Sequence, residues 1–169
     1  MMVKDAMVVI HLAKITLLKK SCEYFKQVFV PQEVYNEILN GEEKGYPDAK
    51  IIIELVKMKY IKVKSVKDKS LFKKAEAFNI QKGEAGAIAL YWEEKADYIA
   101  TDDDNVRKKS ILLGIKLIGT PAIILKLYKE KVIEKEKFDE SLAELRKIGW
   151  FSSQIIDKIQ MEGLKWNNQ

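Results

Sequence analysis

Four acidic positions in this 169-residue chain fall where side chains can reach a shared cleft. Asp5 follows the short apolar segment Met2-Val3-Lys4 and precedes the apolar run from Met7 to Leu12. Asp102-Asp103-Asp104 follows Tyr98-Ile99-Ala100-Thr101. Glu84 opens the small and apolar stretch Gly83-Glu84-Ala85-Gly86-Ala87-Ile88, and Glu37 lies three residues after Val34, beside Ile38. Carboxylates held within about 4 Å of one another repel by roughly 4 kcal/mol per pair at an effective dielectric near 20. A cleft that gathers them must protonate some, splay them apart or bind a hard cation. With one His and one Cys in the chain, the donor set is oxygen only, which points to Mg²⁺ or Mn²⁺. Such an ion polarises phosphoryl oxygens and activates water, so the chemistry suggested is phosphodiester hydrolysis. The residues alone give that reaction class and no substrate.

Each acid also has a plainer use. Carboxylates at strand-to-helix junctions cap the next helix by accepting its free N–H groups. Asp5 fits that role as well as a functional one. One Asp of the triplet suffices to cap a helix through Val106-Arg107-Lys108, which leaves a surplus for function. Glu84 in a first helical turn is unremarkable by the dipole argument, but Gly83, Ala85 and Gly86 leave room for close approach by a backbone or substrate. Surface solvation is the common fate of a residue such as Glu37, and Glu33, one turn earlier, could substitute for it.

Short β-branched segments at Met2–Lys4, Gln27–Val30, Tyr60–Lys64, Tyr98–Thr101 and Lys116–Ile118 read as strands, with helical periodicities between them. One helix opens at Pro31 and closes before Gly41; others begin at Pro47-Asp48 and span Gly83–Glu94. This alternation predicts an α/β fold with a parallel sheet covered on both faces. In such a sheet the crevice lies beyond the carboxyl ends of the strands, where Asp5 and the Asp triplet fall. After Thr120 only helices follow, near Pro121–Glu130, Lys137–Lys147 and Ser152–Glu162, with Gly163 as the expected stop. The chain therefore reads as one domain over 1–169, an α/β core at 1–120 and a helical extension at 121–169.

Thirty Lys and Arg against 25 Asp and Glu give a net charge of +5, which permits a nucleic-acid partner without demonstrating one. A lone Cys22 excludes an intrachain disulfide, and one His excludes a Cys/His zinc cluster. No apolar run reaches the roughly 18 residues of a membrane span, and Asp5 and Lys14 interrupt the N-terminal apolar stretch, so no membrane partner and a cytoplasmic location are expected. His11 reads as a core or interface histidine, Cys22 as a buried filler, and Trp150-Phe151 and Trp166 as interface anchors or packing against the domain itself.

The order of these residues resembles the PIN-domain family of VapC type, through nearly the whole chain. It is most similar to a prokaryotic, archaeal-type subgroup, on Asp5-Ala6 through Ile10-His11-Leu12-Ala13-Lys14-Ile15, on Val30-Pro31-Gln32-Glu33-Val34-Tyr35-Asn36-Glu37, and on Asp102-Asp103 with Arg107. Gly114-Ile115, Gly119-Thr120 and Gly149-Trp150-Phe151-Ser152 complete the pattern. The resemblance implies a three-layer sandwich with a five-stranded parallel sheet whose first and fourth strands are neighbours. It also implies Mg²⁺- or Mn²⁺-dependent cleavage of single-stranded RNA, often by the toxin of a toxin–antitoxin pair, with an antitoxin protein and a homodimer as partners. Carried onto this chain, the acidic set is Asp5, Glu37, Glu84 and Asp102 or Asp103. Metal binding falls to Asp5, Glu84 and Asp102/Asp103, and water activation to Glu37. Thr101, Arg107 and Lys108 are candidate substrate contacts, although a solvated helix face is the simpler account of the two cations. Met7 departs from the family, which has a small polar residue there; a thioether cannot hold water or phosphate as a hydroxyl does, and Thr101 could supply that hydroxyl. The rival readings are a non-catalytic RNA- or protein-binding member of the same fold and a phospho-receiver-like domain, whose phosphoacceptor Asp should follow the third strand rather than the fourth.

Overall fold

The computed structural model describes residues 1–167. Five strands form one all-parallel sheet in the order β3-β2-β1-β4-β5. They are β1 (Met2–Lys4), β2 (Val28–Pro31), β3 (Ile61–Lys64), β4 (Tyr98–Ala100) and β5 (Leu117–Ile118), each within a residue or two of its sequence expectation. Helices α1 (Ala6–Lys14), α2 (Leu18–Phe25), α3 (Gln32–Glu43), α4 (Pro47–Lys57), α5 (Lys69–Glu76), α6 (Lys82–Glu94) and α7 (Asp104–Leu113) connect them. Three more, α8 (Thr120–Lys129), α9 (Lys135–Ile148) and α10 (Ser153–Asn167), form the C-terminal extension.

Strand alternation sorts the core into two layers. Met2, Val28, Val30, Ile61 and Ala100 face α1, α4 and the extension, where Leu12, Ile52, Ile123, Leu127, Leu145 and Ile156 are buried. Val3, Phe29 and Ile99 face the other way, onto Ala85, Ile88 and Leu90 of α6, Ala75 of α5, and Val106 and Leu113 of α7. The central pair β1 and β4 is in register from Met2 with Tyr98 to Lys4 with Ala100, so the chain leaves both strands at the same level.

Several local expectations change. Helix α3 continues through Gly41 to Glu43; a Cβ at Gly41 would stand 3.3 Å from the Tyr46 ring, so this glycine serves packing and not termination. Gly163 likewise lies inside α10, where a Cβ would meet the Phe138 ring at 2.6 Å. Helices α2 and α5 had no counterpart in the sequence reading; each is only eight residues long, and α5 is mostly polar and buries only Ala75. Lys4 is fully buried although its type suggests a solvated strand end. Its ammonium donates to Ser21 Oγ of α2 and lies 5.7 Å from the centre of the Phe25 ring, and burial lowers its pKa to about 8. Cys22 is buried as a filler. Among the described residues no helix is long and apolar enough to cross a membrane.

Candidate active site

Asp5 and Asp102 face each other at the ends of the paired strands β1 and β4. Asp5 takes extended backbone angles as the N-cap of α1, and its Oδ1 accepts the Val8 N–H at 3.0 Å. Its own N–H donates to the Ala100 carbonyl at 3.0 Å, which ties the cap to β4. Asp102 is held from three sides. Oδ1 accepts the Thr120 N–H at 2.7 Å, and Oδ2 accepts the Thr120 hydroxyl at 2.5 Å and lies 2.8 Å from His11 Nδ1. A carboxylate at the N-terminus of α8 satisfies a first-turn N–H and sits at the positive end of the dipole. Both aspartates are 4% exposed.

Burial is the main force on Asp5 and pushes its carboxyl up to about 7. The Thr101 hydroxyl and the Val8 N–H act against that rise, while the charges of Asp102 and Glu84 add to it. Glu37 is raised too, first by burial and then by Glu84. Repulsion therefore links Glu37 to Glu84, Glu84 to Asp5, and Asp5 to Asp102: four acids from α3, α6, β1 and β4 share one field. The glycines of α6 make this possible. A Cβ at Gly83 would stand 3.1 Å from Glu37 Oε1, and one at Gly86 would stand 3.2 Å from Glu33 Oε2. The space beside Gly83 and Gly86 thus admits the carboxylates of α3. Glu33 Oε2 is buried there without a hydrogen-bond partner.

The family model DUF3368, described as a PIN domain, matches residues 1–162. This chain belongs to the PIN-domain family. Its five-stranded parallel sheet flanked by helices is consistent with the PIN fold. PIN domains are generally nucleases and typically use divalent metal ions. No curated protein and no solved structure matches the chain.

The acids of this PIN domain fit a divalent cation by chemistry. They are oxygen donors, and the charges of neighbouring acids add to the raised pKa of Asp5 and of Glu37. They are not closed into a ready cage: among the described residues no group of three or more His, Cys, Asp or Glu side chains stands at metal-holding distance. Splaying and a proton-retaining Asp5 are two of the three outcomes that crowding allows. A cation is the third.

The triplet divides its labour. Asp103 is the N-cap of α7, its Oδ1 accepting the Val106 N–H at 2.7 Å, and its own N–H donates to Thr101 Oγ1 at 3.1 Å. Asp104 is exposed and stands 3.9 Å from Arg107 Nε. Asp102 is the member coupled to Asp5. Arg107 reaches back over Gly119, where a Cβ would meet its Nη2 at 2.9 Å and Asp102 Oδ1 at 3.1 Å. Lys108 is exposed.

Sequence reasoning missed three contributors. His11 is buried as expected, but it also hydrogen-bonds Asp102, 91 positions away. Thr120 supplies two of the bonds on Asp102. The Trp150 indole donates to the Asp102 carbonyl at 3.2 Å, and the Trp150 and Phe151 rings stand 5.9 and 5.2 Å from that of His11. Packing His11 one or two turns after a strand-end Asp, on the buried face of α1, was the signal available for the first of these.

Proposed function

We propose that this PIN domain is a divalent-metal-dependent endoribonuclease that hydrolyses phosphodiester bonds in single-stranded RNA. The observation that carries the reading is the pair Asp5 and Asp102, buried at neighbouring strand ends and coupled to each other. Asp5, Glu84 and Asp102 would hold Mg²⁺ or Mn²⁺, with Asp103 able to join by releasing its cap. The ion supplies charge neutralisation at the phosphoryl oxygens and a more acidic water. Glu37, at the open side of the acid row and with its pKa raised, orients the attacking water and takes its proton on a carboxylate oxygen. Thr101 and Thr120 fix the two aspartates, and Arg107 stands where it can meet a substrate phosphate.

The VapC-like residue order supports a toxin role, with an antitoxin protein and homodimer formation as parts of the same proposal. The fully engaged Asp102 and the absence of a ready three-acid cage favour one second reading, a non-catalytic RNA- or protein-binding member of the fold. One assay separates the two. A labelled single-stranded RNA is incubated with wild type, Asp5→Asn and Glu84→Gln in Mg²⁺, Mn²⁺ or EDTA. Cleavage that needs the metal and is lost in both variants supports the nuclease. Cleavage that persists in both variants removes this site, and no cleavage with either metal leaves the binding module.

A further inference from the structure

The site opens into a groove of about 820 Å³ between the start of α7, the start of α8 and the C-terminal extension. Leu125, Phe151 and Ile155 form its apolar side, Arg107 and Lys158 line it as cations, and four carboxylates line it too: Asp102, Asp103 and Asp104 at its active-site end, and Glu162. Trp150 stands in this groove 51% exposed, in a particular way. Its only polar atom is already spent inward on the Asp102 carbonyl, and its ring is braced near His11. What it offers the groove is a fixed aromatic surface with no unmet hydrogen bond.

We propose that Trp150 is a nucleobase platform: a base of single-stranded RNA stacks on its indole in this groove, while Arg107 and Lys158 meet the flanking phosphates. This rests on the ribonuclease reading and adds to it how the strand is held. An aromatic face beside cations is the combination that binds single strands, because every base has a π-face and every linkage a phosphate. An apolar peptide fits worse, since it would bury two cations and the four carboxylates Asp102, Asp103, Asp104 and Glu162, which line the same groove, without partners for them. The Trp150 tether to the Asp102 backbone also fixes the spacing from stacked base to acid row, so stacking would set which linkage reaches the acids.

The test uses the full-length wild-type chain and Trp150→Ala in EDTA. Each is titrated by fluorescence anisotropy with a labelled single-stranded oligoribonucleotide and with an abasic strand of the same length. The expected result is a loss of affinity between about 5- and 150-fold for the base-bearing strand on Trp150→Ala, with little change for the abasic strand. Trp150→Tyr, which keeps an aromatic face, is expected to recover most of the loss. Equal affinity of wild type and Trp150→Ala for the base-bearing strand overturns the proposal and leaves the groove to a peptide. Equal loss for both strands also overturns it. Should Trp150→Ala fail to fold by circular dichroism, the Trp92→Phe/Trp166→Phe protein reports directly, because its remaining indole must be quenched by the base-bearing strand and not by the abasic one. Base-dependent binding without metal-dependent cleavage would sink the ribonuclease reading alone. Cleavage with base-independent binding would sink this inference alone.

Discussion

Asp5→Asn is expected to stabilise the metal-free chain while abolishing its activity. Burial holds the Asp5 carboxyl at about 7 against an ordinary 3.8, and each unit of such a shift is worth about 1.4 kcal/mol. A raised acid pKa means that the folded state keeps its proton longer than the unfolded one. The cost of ionising Asp5 is therefore absent below pH 4, grows between pH 4 and 7, and reaches about 4 kcal/mol above pH 7. Asn resembles the neutral acid, and as an N-cap it is about as good as Asp, so the bond from the Val8 N–H survives. In EDTA, urea unfolding should show the variant more stable by about 4 kcal/mol at pH 8, or a Tm higher by about 10 °C in a chain of this length. The gap should close to near zero at pH 4. A gap of the same size at both pH values, or a variant less stable at pH 8, would refute the electrostatic reasoning.

Three further outcomes follow from the structure. Lys4→Met combined with Ser21→Ala removes a buried ammonium together with its hydroxyl acceptor. The Lys4 pKa is depressed from 10.5 to about 8, so the unfolded state binds more protons between those values, and wild-type stability should rise with pH across that window. The double variant should be more stable by about 3 kcal/mol below pH 8 and lose that advantage near pH 10.5, as read by denaturant titrations at pH 7 and 10. Thr120→Val keeps the backbone bond to Asp102 but removes the hydroxyl donor; a loss of about 1–3 kcal/mol by thermal unfolding is expected. Gly163→Ala drives a methyl into the Phe138 ring, which stacks on Tyr128 at 4.5 Å. Overpacking of about 1–3 kcal/mol outweighs a helix-propensity gain of about 1, so Tm should fall, and Phe138→Leu should relieve it.

The sheet was readable because each strand is a short β-branched segment closed by a helix signal, and because Asp5 is the first residue beyond β1 and Asp102 the second beyond β4. Adjacent first and fourth strands came from the family resemblance, and the register of Lys4 with Ala100 bears it out. Which Asp of the triplet caps α7 was not readable, since the answer depends on backbone angles that let Asp103 alone reach the Val106 N–H. Lys4 was opaque for a related reason: its acceptor, Ser21, belongs to α2, a helix of only eight residues in which polar side chains predominate. The His11–Asp102 and Trp150–Asp102 bonds span 91 and 48 positions. Local periodicity places a side chain on a buried face, but the partner it meets there is set by how the extension folds back across the core. Gly41 and Gly163 show the same limit, because a helix-ending glycine and a close-packing glycine look alike in sequence.

The shared-cation account is tested most directly by titrating Mn²⁺ calorimetrically into the wild-type chain, Asp5→Asn and Glu84→Gln at pH 8. Saturable binding by wild type that weakens at least about tenfold in each variant is predicted, since each removes one charged oxygen donor. Wild-type affinity in both variants, or no binding by any of the three, would contradict it.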